Sequence, residues 1–132
     1  MDQSLKRKQA KNAVRSIDPQ AQQAVLAAVA EIRERFQTTV PRRLAILEQA
    51  TSALRAGILS DALRHQAQAE AHKIAGAGGL FGCPHGSSLA KKIEAMFQPL
   101  AVLEHAHASR LAELILALRR ELEQPPQQLP VA

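Results

Sequence analysis

Apolar residues recur at spacings of three and four along most of this chain. Val25, Val29, Ile32 and Phe36 form one series, and Val40, Leu44, Leu47, Thr51, Leu54 and Ile58 a second. Leu63, Ala67, Ala71, Ile74, Gly78 and Phe81 form a third. Leu89, Ile93, Met96 or Phe97, and Leu100 make a fourth, and Leu111, Leu114, Ile115, Leu118 and Leu122 a fifth. A period of about 3.6 residues puts each series on one helix face, whereas a half-buried strand alternates with period two. No segment alternates in that way over a useful length, and no Asn-Gly hairpin signal is present. Trp and Tyr are absent and Phe occurs three times. The core is therefore built from Leu, Ile, Val and Ala, a set that suits helices better than sheets.

Local signals place the helix ends. Asp18 followed by Pro19 is an N-cap acceptor with a proline at the first helical position. "QTTV" (37–40) breaks this first helix and Pro41 opens the second. Gly57 caps the second, and Ser60 caps a third that runs through His72 to about Phe81. Gly82 ends the third helix, Pro84 starts the fourth, and a fifth spans about Glu104 to Glu123. Short loops between amphipathic helices make antiparallel neighbours. The expected fold is all-α: an up-and-down antiparallel four-helix bundle from helices two to five, with an additional N-terminal helix packing at one end. One domain is expected over 18–124, a length of chain that supports a core without staples. It is flanked by a disordered basic tail, 1–17, and a disordered Pro/Gln-rich tail, 125–132.

Charge and cysteine usage narrow the class. Of a formal net charge of +5, +4 falls in the first fifteen residues, where Lys6, Arg7, Lys8, Lys11 and Arg15 face only Asp2. The folded part is thus nearly neutral, and the tail reads as a solvated leader. With so few aromatic side chains there is no stacking platform for single-stranded nucleic acid. The lone Cys83 excludes an internal disulfide and fits a reducing compartment. "AVLAAVA" (24–30) runs on into the periodic "EIRERF", so it is a helix face and not a signal core. No run is long enough to span a bilayer.

His72 lies away from the apolar stripe of the third helix. At about 100° per residue it sits about 150° from the centre of that stripe. Its outer-face companions are His65, Gln68, Ala69, Ala75, Gly76 and Gly79. Gln68, Ala69, Ala75 and Gly76 lie three and four residues from it, and three of these carry a methyl or less. Exposed helical faces normally hold Glu, Lys, Gln and Arg. Small residues here leave the imidazole open to a second macromolecule, while Gly78, on the inner stripe, admits a neighbouring helix. An imidazole with an ordinary pKa of ~6.5 is partly unprotonated near neutrality and can accept a phosphoryl group. Such transfer needs in-line approach and charge neutralisation, which a partner must bring.

"AHKIAGAGGLFG" resembles the phosphoacceptor motif of histidine-containing phosphotransfer (HPt) domains. That motif has Ala-His, a glycine four residues on and a second ten residues on, matched here by Ala71, His72, Gly76 and Gly82, with Ile74 and Phe81 at the apolar positions. "LAKKIE" (89–94) is similar to the family's next helix, and Phe36 with "PRRLAILEQA" to its second, so the resemblance covers roughly residues 30 to 120. It implies a cytoplasmic phosphocarrier of a bacterial two-component phosphorelay, with no ATP site and no kinase activity of its own. His72 would accept a phosphoryl group from a receiver-domain phospho-aspartate and pass it to another receiver. The implied partners are a response regulator or hybrid kinase receiver domain, and neither membrane nor nucleic acid. Mg²⁺ is expected on the receiver, no cofactor or metal on this chain, and the chain is expected to be a monomer. Gln68, Lys73, Ala75, Gly76 and Gly79 would support the site, and His65, Ala69, Lys91 and Lys92 would contribute to docking. The family often has Lys or Arg three residues after the histidine; here Ala75 stands there, and Lys73 is the nearest cation.

Two other classes compete: a bundle that binds a receiver or kinase without transfer, and a basic-tailed nucleic-acid protein. The remaining side chains have plain readings. His85, His105 and His107 are expected to be solvated, as are the Arg42, Arg43 and Lys91, Lys92 pairs, with docking of an acidic receiver the alternative role for the two lysines. His65, one heptad before His72, lacks the further ligands a metal would need.

Overall fold

The computed structural model describes residues 18–80 and 82–123, without the side-chain surroundings of Gly79 and Leu80. The expected tails 1–17 and 125–132, and the core position expected for Phe81, lie outside the described residues. Among the described residues all regular structure is helical: α1 (Pro19–Arg55), α2 (Asp61–Leu80), α3 (Pro84–Phe97) and α4 (Ala108–Glu123), with a single 3₁₀ turn at His105–His107. The chain divides into two compact units, Met1–Arg35 and Phe36–Ala132.

In the first unit residues 19–35 are helical, and the stripe of Val25, Leu26, Val29 and Ile32 is exposed. The second unit holds the core. Leu44, Leu47, Ala50 and Leu54 from α1 join Ala67, Ala71 and Ile74 from α2, Leu89, Ala90, Ile93 and Phe97 from α3, and Leu111, Leu114, Ile115 and Leu118 from α4. Burying a Leu, Ile or Phe side chain stabilises by about 1.5–3 kcal/mol, so these positions carry the fold.

The expected break at 37–40 is absent, and with it the separate first helix: Pro41 lies inside α1. A proline removes one backbone donor and crowds the carbonyl four residues back, at a cost of about 3 kcal/mol. One feature accommodates it. Gln37 and Pro41 are exposed, so water can serve the orphaned Gln37 carbonyl. The Thr39 hydroxyl donates to the Phe36 carbonyl at 2.8 Å and accepts from Arg43 Nε at 3.2 Å. The deep burial of Leu44 to Leu54 then holds the next turns helical.

The other ends follow local chemistry. Gly57 adopts φ +74°, with Ile58 N donating to Ala53 O at 2.8 Å and Gly57 N to Leu54 O at 3.1 Å. These two bonds make a Schellman cap. Ser60 Oγ accepts from Leu63 N at 3.1 Å, and Asp18 Oδ1 from Gln20 N at 3.2 Å. Ile58 and Leu100, expected on buried stripes, are exposed because each falls beyond a helix end, after Gly57 and after Phe97. His107 is half-buried rather than solvated, since its Nδ1 accepts the Glu104 N–H at 2.9 Å and caps the turn before α4. In α4, Arg119 pairs with Glu48 of α1, and this hydrogen bond raises the guanidinium pKa further.

Candidate functional site

α2 and α3 form a helical hairpin closed by Gly82, at φ +76°, where Cys83 N donates to Gly78 O at 2.9 Å. Pro84 then opens α3 with its φ preset and no donor to leave unpaired. Three pairings set the register. Arg64 Nε donates to Phe97 O at 3.1 Å, His72 Nδ1 lies 2.9 Å from Glu94 Oε1, and Ser87 Oγ donates to Ala75 O at 2.6 Å. Numbers rise on α2 as they fall on α3, so the two helices are antiparallel. Arg64 also donates to Ala101 O at 2.7 Å and to Gln98 O, and so takes up carbonyls that α3 and its following turn leave free.

His72 projects from the twelfth position of α2 with 74% of its side chain exposed. An ionised carboxylate can only accept, so Glu94 holds the proton on Nδ1 and leaves the Nε2 lone pair directed away from the pair. No described residue bonds Nε2. The imidazole is therefore oriented from one side and open on the other, an arrangement suited to nucleophilic attack on an approaching phosphorus or carbonyl centre.

Behind this face lies a second charged group. Glu70 is buried on the α1 side of α2, and its carboxylate meets Arg43 Nη1 at 3.2 Å and Lys73 Nζ at 3.7 Å. Arg43 is thus a partner of a buried carboxylate and not the solvated residue expected. A buried carboxylate needs such partners, because the cost of leaving one unpaired is several kcal/mol.

The expected site residues separate into groups. His72, Lys73, Gly76, His65, Lys91 and Lys92 are exposed, and Gln68 and Ala69 are half-buried. Gly79 falls within α2, but its surroundings lie outside the described residues. Ala75 does not belong to the exposed face: it is 5% exposed, covered by α3 where Ser87 meets its carbonyl. The expected stripe was too narrow, because α2 packs against α1 through Glu70 and against α3 through Ala75. Glu94 was legible only as part of "LAKKIE", with no role attached to it. Its signal is symmetry: His72 and Glu94 each stand eleven residues from Cys83 at the hairpin turn.

Among the described residues no group of three or more His, Cys, Asp or Glu side chains could hold a metal ion. Nor is any described helix long and apolar enough to cross a membrane. Searches against curated proteins and against solved structures gave no match. The family model described as "Hpt domain" matches residues 31–127, and that span takes in α2, α3, α4 and the buried half of α1. Hpt domains carry phosphoryl groups on histidine within phosphorelays, as phosphocarriers rather than enzymes, and interact with receiver domains. The chain belongs to the Hpt domain family.

Proposed function

We propose that this protein is a histidine phosphotransfer protein of a bacterial two-component phosphorelay, acting in the cytoplasm through His72. The helices of the second unit are read as an up-and-down antiparallel bundle. The short connections and the α2–α3 register support that order. The observation that carries the function is the His72–Glu94 pair: an exposed imidazole with Nδ1 engaged at 2.9 Å and Nε2 open.

In the proposed step the Nε2 lone pair attacks the phosphorus of a receiver-domain acyl phosphate. The N–P bond forms as the P–O bond to the aspartate breaks, and the carboxylate leaves with that electron pair. Nδ1 keeps its proton, directed at Glu94 throughout, so the positive charge that develops on the ring is met by a carboxylate. The reverse sequence delivers the group to a second receiver. The Mg²⁺ that neutralises phosphoryl charge would arrive with the receiver, and no nucleotide is needed on this chain. Gly76, open beside His72, leaves clearance for the partner's surface.

The test is incubation with a phosphorylated receiver carrying radiolabel. Acid-labile, base-stable label is expected on the wild type and absent from His72→Gln, whose helical circular dichroism should be unchanged. Label retained by His72→Gln would remove the assignment. Glu94→Ala should slow acceptance on the order of tenfold to a hundredfold, because the ring loses its fixed tautomer and orientation. Glu94→Gln can still accept from Nδ1–H through its amide oxygen, so it should retain more of the rate than alanine.

A further inference from the structure

The pairing that activates His72 creates a difficulty for its product. A phosphoryl group on Nε2 brings a charge of up to −2 to a ring already held by the Glu94 carboxylate at 2.9 Å. The phosphoryl group stands one ring width beyond that contact, still within a Debye length of the carboxylate (about 8–10 Å), and like charges within that range repel. A cation from this chain would offset the repulsion, and the positions of the lysines decide which one can.

Lys73 is committed elsewhere, since its Nζ lies 3.7 Å from Glu70, a buried carboxylate that needs its partners. Lys92 lies two residues from Glu94 on α3, about 160° around the helix, on the opposite flank. Lys91 is different. It follows Ser87 by four residues and precedes Glu94 by three, the spacings of neighbours on one helix face. Ser87 and Glu94 both bond to α2, at Ala75 and His72. Lys91 therefore sits on the flank that faces α2, about 4.5 Å along the axis from Glu94. In the antiparallel register that height matches the turn of α2 after His72. There Gly76 leaves open space, with nothing within 4 Å of where a Cβ would be. Lys91 is exposed and makes no ion pair among the described residues.

We propose that Lys91 is the intrinsic cation of the phosphorylated site. Its ammonium swings across the gap beside Gly76 to pair with the phosphoryl oxygens on His72 Nε2, and it offsets the repulsion from Glu94. This inference rests on His72 being the phosphoacceptor. Lys91 transfers nothing; it stabilises the incoming and the bound phosphoryl group.

The experiment uses potassium phosphoramidate as donor and the full chain as acceptor, so no receiver contributes charge. The Nε2 lone pair forms the N–P bond as the P–N bond of phosphoramidate breaks, and ammonia leaves with the electron pair of that bond. Phosphorylation is followed by ³¹P NMR and by charge-shift electrophoresis. Lys91→Gln should lower the rate constant about fivefold, as loss of a unit charge near 4 Å would. Lys91→Arg should keep most of the rate, and Arg120→Gln, the same change in net charge at an exposed position of α4, should match the wild type. The gap between wild type and Lys91→Gln should narrow in high salt, which a packing role would not produce. Equal rates in Lys91→Gln and wild type, or equal slowing by Lys91→Gln and Arg120→Gln, would overturn the inference. A wild-type protein that takes no label lost in His72→Gln would instead overturn the underlying assignment.

Discussion

Gly76 and Gly78 stand two residues apart on α2, and their surroundings have little in common. A Cβ at Gly78 would lie 3.4 Å from the Cys83 carbonyl oxygen and 3.4 Å from Ser87 N, both backbone atoms. A Cβ at Gly76 would meet nothing within 4 Å. The first glycine is matched to its own fold: α3 comes so near that only the smallest side chains fit. The second has no such reason inside the chain, yet glycine in a helix interior costs about 0.5–1 kcal/mol relative to alanine. Under the proposed function its compensation lies outside the chain, in a receiver surface that closes over His72. One side of α2 is thus shaped by a neighbour always present, and on the proposed reading the other is shaped by a neighbour that comes and goes.

The sharpest way to break this contrast is bulk at Gly76. Gly76→Trp should leave the fold intact but reduce transfer from a phosphorylated receiver on the order of a hundredfold, because displacing the partner by an ångström forfeits in-line geometry. Phosphorylation by phosphoramidate should be largely kept. Parallel assays with the two donors make the comparison. If receiver transfer survives, the open face is not the docking face.

Bulk at Gly78 should do the opposite. Gly78→Leu would drive a side chain into the backbone of Cys83 and Ser87, neither of which can turn aside as a flexible side chain would. A loss of stability of about 1–3 kcal/mol is expected from overpacking of this kind, read as a lower urea midpoint. A variant with unchanged stability would mean that α3 is not held so near. Ser87→Ala sharpens the same side with a smaller change. It removes the 2.6 Å hydrogen bond to Ala75 O and should cost about 1 kcal/mol.

The contrast also marks what could be read before any coordinates. Ser60, Gly57, Gly82 and Pro84 were legible because capping is decided within a few residues of chain. The exposure of His72 was legible because the residue lies nearly opposite the apolar stripe on a helix wheel. Pro41 misled, since the rule that proline opens a helix takes no account of water reaching the exposed Gln37 carbonyl or of the burial that follows from Leu44. Ala75 misled for a related reason. A wheel drawn from the apolar residues of α2 has one centre, but the buried arc runs from Glu70 to Ala75, about 140°, because two helices cover it. The Arg43–Glu70 and His72–Glu94 pairs are long-range and joined by no local pattern. Only reflection about the hairpin turn brings the second pair together.

The mildest substitution separates the two glycines most directly. Gly76→Ala adds one methyl where there is open space, with no positive φ to accommodate. It should raise unfolding stability by about 0.5–1 kcal/mol, the ordinary gain from alanine in a helix interior. Equilibrium urea titration of the wild type and the variant measures it. The same change at Gly78 places its methyl at 3.4 Å from two backbone atoms, so the helix gain is opposed by tighter packing and the net effect should be smaller. If Gly76→Ala stabilises the fold while slowing receiver transfer, this position trades stability for access to His72. If it destabilises the fold, Gly76 is needed by the helix itself, and the case for an external neighbour on that face is lost.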